Sequence, residues 1–349
     1  MTRTLYLHVG PPKTGSTSIQ VFIRDNAATF HLHGLYRPTT GTERLSHVHR
    51  GLVDAFKSTT KPTPLLDDLA SELEQRGLPE RVFVSSELFA ARLLNRDYID
   101  NLKSFCRRLG YRLHVIAYIR PQVPLFNSLF TQHVKKWRDV ISVEKFLERE
   151  IQSDRHNYQL LFLPLQDDPE VSLTIRPFNR ATLASGLFSD ISNIICPMVR
   201  RDDLVEPRFS NVSPGPRTVA AMLRIRKRIT AELPELDPER MSALTPPLVQ
   251  IAGGLGWNGD KFGGMTTAQQ NAVAQHFAAS NEILARRVWS KTWNEIFTDA
   301  ENAAPPYNFF TPSEATPQQR REFRDYIEQS METIAEFASI HQIQPNHQE

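Results

Sequence analysis

HVGPPKTGSTSIQ, residues 8 to 20, ends a short apolar run, TLYLHVG, and leads into a stretch where Ile19, Phe22, Ile23, Ala27 and Phe30 recur at helical spacing. That period places the five side chains on one face, so the segment reads as strand, glycine-bearing turn and amphipathic helix. Such a join suits an anion. The N–H groups of a helix's first turn lack intrahelical acceptors, and the helix dipole adds partial positive charge there. A nucleotide-binding loop of the form G-x-x-x-x-G-K-[ST] carries its lysine directly after the second glycine. Here Ser16 occupies that place, lysine stands at position 13 inside the turn, and the hydroxyls of Ser16, Thr17 and Ser18 follow.

Working outward, β-rich runs at Thr4 to Val9, Arg81 to Ser85, Leu113 to Ile119 and Val171 to Ile175 alternate with amphipathic stretches such as Leu65, Leu69 and Leu73, and Tyr98 to Leu109. Strands separated by helices predict a mainly parallel sheet. Beyond about residue 200 helical periodicity takes over, in Thr218 to Ile229, Thr267 to Val288 and Gln318 to Ile340. The expected architecture is a P-loop-like three-layer α/β core over residues 1–200, with a mainly helical extension or lid over 201–349 completing the same domain. The stretches PPLVQIAGGLGWNGDKFGGM and NAAPPYNFFTPSEATP are too rich in Pro and Gly to be regular throughout.

The 349 residues carry 41 Lys+Arg against 39 Asp+Glu, a near-neutral balance that argues against nucleic acid or an anionic membrane as partner. Any anion site must be local. Cys106 and Cys196 are the only cysteines, too few for a disulfide framework or a cysteine-built zinc site. Without a signal-peptide pattern or a membrane-length apolar run, the chain reads as soluble and cytoplasmic. Its oligomeric state is not legible.

PPKTGSTS resembles the 5′-phosphosulfate loop of the sulfotransferase superfamily, in particular of its bacterial, carbohydrate-directed members. Family members also carry an arginine at the end of a later strand and a serine eight residues on, both for the 3′-phosphate of the donor. LHVIAYIRPQVPLFNSLF supplies Arg120 and Ser128 at that spacing. Weaker likenesses lie in HRGLV at 49–53, TIRPFNRATL at 174–183 and HFAASNEIL at 276–284. The R-K-G-x-x-G clamp of cytosolic small-molecule sulfotransferases is missing, and GDKFGG at 259–264 is a partial substitute. The resemblance implies 3′-phosphoadenosine 5′-phosphosulfate (PAPS) as donor, its bisphosphate (PAP) as product, no metal, and a carbohydrate or other hydroxyl or amine acceptor. Pro12, Lys13, Thr14, Gly15, Ser16, Thr17 and Ser18 would hold the 5′-phosphosulfate, with Lys13 on the leaving side, and Arg120 and Ser128 the 3′-phosphate.

An acceptor hydroxyl needs a base, and sites of open α/β sheets lie at the carboxyl ends of the strands. Glu87 follows the strand RVFVSS, and VSSELF resembles the glutamate-bearing segment of polysaccharide sulfotransferases. His49, with His47 beside it in LSHVHRGL, is the rival, since imidazole titrates near neutral pH. A metal held by His47, His49 and Glu87 is set aside, because donor and loop already supply charge stabilisation. Lys135, Lys136, Trp137 and Arg138 read either as a charged aromatic surface for a glycan to stack on or as a solvated helix end. Two other readings stand beside the sulfotransferase: a P-loop phosphotransferase, and a non-catalytic nucleotide- or glycan-binding protein of the same fold.

Overall fold

Five strands, β1 (Arg3–His8), β2 (Leu35–Tyr36), β3 (Arg81–Ser85), β4 (Tyr111–Ile119) and β5 (Val171–Pro177), form one all-parallel sheet in the order β2-β3-β1-β4-β5. The structure is a computed structural model that describes residues 3–42, 47–57, 63–138, 141–207, 213–234, 236–237 and 241–342. The four strands expected from the sequence are present within two residues of their expected ends. β2 has only two residues, too few to show a period of two.

Helices follow as α1 (Ser16–Asp25), α2 (Ala27–Leu32), α3 (Arg50–Ala55), α4 (Pro64–Gln75), α5 (Phe89–Arg92), α6 (Arg96–Arg108), α7 (Gln122–Lys135), α8 (Val143–Gln152), α9 (Tyr158–Gln166), α10 (Arg180–Ser185), α11 (Leu187–Ile195) and α12 (Pro216–Glu232). Strand residues alternate between two cores. Leu5, Leu7 and Val9 join Val82, Val84, Leu113 and Val115 under α3, α4, α6 and α9. Tyr6, Phe83, Ile116 and Tyr118 face the opposite way, under α1, α2 and α11. Helices on both faces explain why the strands are apolar runs rather than clean alternations. Phe22 of α1, 1% exposed, meets Phe30 edge-on with ring centroids 5.8 Å apart, so truncation to Ala costs about 3–5 kcal/mol.

The chain divides into two compact units. The first comprises Met1–Gln122, Glu150–Phe209 and Gln275–Asn302 and holds the sheet; the second comprises Val123–Arg149, Ser210–Ala274 and Ala303–Glu349. The sequence suggested a boundary near residue 200, whereas the packing groups Val123–Arg149 with the later helices. It also returns Gln275–Asn302 to the sheet, where Leu284, Ala285, Trp293 and Phe297 enter the core.

In the second unit α12 packs along the helix Pro317–Gln342, and Trp257 lies against Tyr326 with ring centroids 5.0 Å apart. The Tyr326 hydroxyl donates to the Leu248 carbonyl at 2.9 Å. That carbonyl belongs to a helix, Thr245–Gly254, which forms inside the Pro- and Gly-rich stretch because its prolines fall in the first turn and its glycines at the end. Among the described residues no helix is long and apolar enough to cross a membrane.

Candidate functional site

β1 hands the chain to α1 on one face of the sheet, while α6 and α9, before β4 and β5, cover the other. Connections leaving neighbouring strands on opposite faces open a crevice at their carboxyl ends. The loop after β1 lies at that edge. Lys13 (φ 69°) and Gly15 (φ 77°) are left-handed, and Thr14 between them is not. Alternation of this kind turns successive N–H groups to one side and makes an anion nest. Gly15 caps α1 without a side-chain bond, and the amides of Thr14, Gly15, Ser16 and Thr17 have no acceptor among the described residues.

Two glycines are required. A Cβ on Gly15 would stand 2.7 Å from Leu187 and 3.0 Å from Phe178, besides the positive φ. On Gly10 it would meet Ser16 Oγ at 3.0 Å and both His8 Nε2 and Thr14 Oγ1 at 3.2 Å. Inside the loop, Thr14 Oγ1 donates to the Pro11 carbonyl at 2.7 Å, and Ser16 Oγ reaches that oxygen only at 3.4 Å. Thr14 and Ser16 are buried, Pro12, Lys13 and Ser18 half-buried, and Thr17 exposed. A left-handed lysine costs about 1–2 kcal/mol, and such strain persists only where neighbours hold it.

Arg120 is one such neighbour. It follows β4 directly, and its Nη1 donates to the Lys13 carbonyl at 3.3 Å. Its own carbonyl accepts from the Tyr158 hydroxyl at 2.8 Å. Burial draws the Arg120 pKa down, and Tyr158 pulls it back in part. Burial also pushes the Tyr158 hydroxyl up, so it remains a donor. Among the described residues the Lys13 carbonyl is the single acceptor for this guanidinium, so most of its five N–H groups face no protein oxygen.

Glu87 is half-buried in the turn after β3, with no hydrogen bond or ion pair to its carboxylate among the described residues. His49 is different. It is fully buried, its Nδ1 accepts from the Ser85 N–H at 3.1 Å, and its Nε2 faces the Pro38 carbonyl at 3.0 Å. Those partners fix the Nε2–H tautomer and occupy both nitrogens. Burial, ahead of repulsion from Arg37, lowers its pKa to about 4. His49 thus ties its loop to β3 and has no lone pair to offer an acceptor, which removes the physical basis for its role as base. His47 is half-buried, and burial followed by the charges of Arg24 and Arg37 lowers its pKa. No set of three or more His, Cys, Asp or Glu side chains among the described residues is arranged for a metal ion.

In the second unit Ser128 is half-buried on α7. Of the two readings of residues 135–138 the glycan platform fails at Trp137, which is 0% exposed and donates from Nε1 to Thr245 Oγ1 at 2.8 Å, while Lys136 and Arg138 are exposed, as at a solvated helix end. GDKFGG is also committed elsewhere, for the Gly263 amide donates to Asn308 Oδ1 at 2.8 Å and the Gly264 amide to Asn127 Oδ1 at 2.9 Å. Neither amide remains for a phosphate clamp.

The donor set around the loop fits an anionic group: unpartnered amides, the half-buried Lys13, and a guanidinium with spare N–H groups, while no carboxylate pairs with Arg120 among the described residues. Sequence reasoning missed three supports. Tyr158 was not singled out, and His8 and Ser85 read as strand residues, although His8 Nδ1 and Ser85 Oγ lie 2.8 Å apart and Gln20 Nε2 donates to the same Ser85 oxygen at 3.0 Å. A polar residue at a fully buried strand position was the available signal. Compared with known proteins, the chain matches no family model, no curated protein and no solved structure.

Proposed function

We propose that this chain is a sulfotransferase using PAPS as donor and a hydroxyl or amine of a carbohydrate, such as a polysaccharide, oligosaccharide or glycolipid, as acceptor. The observation that carries the reading is the bond from Arg120 to the Lys13 carbonyl, which brings together two cations separated by 107 positions at an anion nest. The unpartnered amides of residues 14–17 would hold the 5′-phosphosulfate and Arg120 the 3′-phosphate, for which the family resemblance also offers Ser128. Bidentate geometry suits arginine to phosphate. A phosphotransferase loop would need its lysine where Ser16 stands.

Bound there, the donor supplies a sulfuryl group whose bond to the phosphate oxygen breaks as the acceptor oxygen or nitrogen bonds to sulfur. Lys13 lies on the leaving side, where its ammonium offsets charge growing on the phosphate oxygen, as preorganised cations do in phosphoryl transfer. Glu87, without a partner for its carboxylate among the described residues, takes the acceptor's proton.

The test is thermal unfolding of the full chain with PAP. Ligand at 100 times its dissociation constant should add about 2.7 kcal/mol. Absence of any shift in folded protein at millimolar PAP would remove the basis for the donor site.

A further inference from the structure

The most unusual group near the loop is His8. It is 0% exposed, and its Nε2 has no hydrogen-bond partner among the described residues. A buried polar atom left without a partner costs about 1–3 kcal/mol, and such atoms mark either strain or a partner still to come. This one lies beneath the anion loop, 3.2 Å from the point where a Gly10 Cβ would stand, and Ser16 Oγ lies 3.0 Å from the same point.

The neighbours decide the tautomer. Gln20 Nε2 donates to Ser85 Oγ at 3.0 Å, and that hydroxyl, on a residue 1% exposed, has one other partner among the described residues, His8 Nδ1 at 2.8 Å. If Nδ1 carried the proton, the Ser85 hydroxyl hydrogen would have no acceptor. Both contacts of the Ser85 hydroxyl are satisfied when it accepts from Gln20 and donates to Nδ1, which puts the His8 proton on Nε2. The orphan is therefore a donor. Ser16 Oγ is the acceptor best placed to change, because Thr14 Oγ1 already holds the Pro11 carbonyl at 2.7 Å and Ser16 reaches that oxygen only at 3.4 Å.

Resting on the donor site proposed above, we infer that His8 is a positioning residue that completes a directional hydrogen-bond chain when an anion enters the loop. The Ser16 hydroxyl turns its hydrogen from Pro11 to the anion, and its lone pair accepts from His8 Nε2–H. The chain then runs from Gln20 through Ser85, His8 and Ser16 to the anion, with each donor polarising the next. No proton is transferred. The bound state gains a hydrogen bond that the free protein lacks, so affinity for the 5′ end of the donor depends on a side chain that never touches it.

The experiment uses the full chain labelled with ¹⁵N-histidine, observed by long-range ¹H–¹⁵N NMR during titration with PAP, alongside thermal unfolding. His8 should be the Nε2–H tautomer throughout. Its Nε2 resonance should shift on the same saturation curve as the thermal stabilisation, and the shift should vanish in Ser16→Ala. His8→Phe should bind PAP about ten-fold more weakly, and His8→Gln, whose amide keeps a donor near Nε2, should recover most of that loss. If PAP stabilises the protein while the His8 resonances stay fixed or report Nδ1–H, the inference is overturned and the donor site stands. If PAP does not bind at all, both fall. The wild-type titration needs no variant to fold.

Discussion

The Arg120 guanidinium donates to the Lys13 carbonyl at 3.3 Å, so the end of β4 holds the loop after β1 in its left-handed turn. The same side chain has N–H groups left over, so in the proposed donor site loop shape and ligand affinity depend on one residue. Arg120→Ala should abolish stabilisation by PAP. Arg120→Lys should keep a charge but lose the planar fork, leaving well under half of the shift. Differential scanning calorimetry with and without PAP separates the two.

Tyr158→Phe removes the hydroxyl that donates to the Arg120 carbonyl at 2.8 Å and leaves that part-buried oxygen without its donor. The expected cost is about 1–3 kcal/mol in urea unfolding, with PAP affinity lowered several-fold because the arginine loses its backbone anchor.

Lys13→Gly suits the φ of 69° and should leave the unfolding midpoint within about 3 °C, relief of strain offsetting the entropy of glycine. Sulfuryl transfer should nevertheless fall by about 100-fold or more, since the cation proposed to offset charge on the leaving oxygen is lost. Parallel calorimetry and rate measurements check both halves.

His8 and His49 are buried and neutral, each lowered by burial from 6.5 to about 4. The unfolded chain binds protons at higher pH than the folded one, so their stabilising contribution is fully present above pH 6.5. It is lost as pH falls from 6.5 through about 4, by about 3 kcal/mol for each histidine. Urea unfolding between pH 7 and pH 4 should show stability falling with proton uptake approaching two. His49→Ala should flatten the slope by about one proton and lower stability at pH 7, since the Ser85 N–H and Pro38 carbonyl lose their partners.

Much of this was legible because its signals are local. The four longer strands announced themselves as apolar runs, the loop by its glycines and lysine, and Arg120 by its place at a strand end. What escaped depends on partners far along the chain. β2 exists because Leu35 and Tyr36 pair with Arg81 and Val82, not through any pattern of its own. His49 looked like a base until its two nitrogens met Ser85 and Pro38, and Trp137 looked like a surface platform until it closed over Thr245. His8 sits between the apolar Leu7 and Val9 in the sequence, and its polar partner Ser85 lies 77 positions away. The segments exchanged between the two units escaped for the same reason, since helical periodicity identifies a helix without saying which core it joins.

Glu87→Gln preserves shape and removes the proton acceptor. Stabilisation by PAP should be unchanged while transfer falls by about 100- to 10,000-fold. Equal loss of both would assign Glu87 to donor binding instead.

The most direct measurement is transfer of ³⁵S-labelled sulfate from PAPS to a panel of polysaccharides, oligosaccharides and glycolipids by the full chain, with Lys13→Ala and Glu87→Ala as controls. Label should appear on at least one acceptor class, with stoichiometric release of PAP, and both controls should be silent. A chain that binds PAP yet labels nothing would be a binding protein, and one that transfers phosphate from ATP without consuming PAPS would be a kinase. Either result would contradict the sulfotransferase reading.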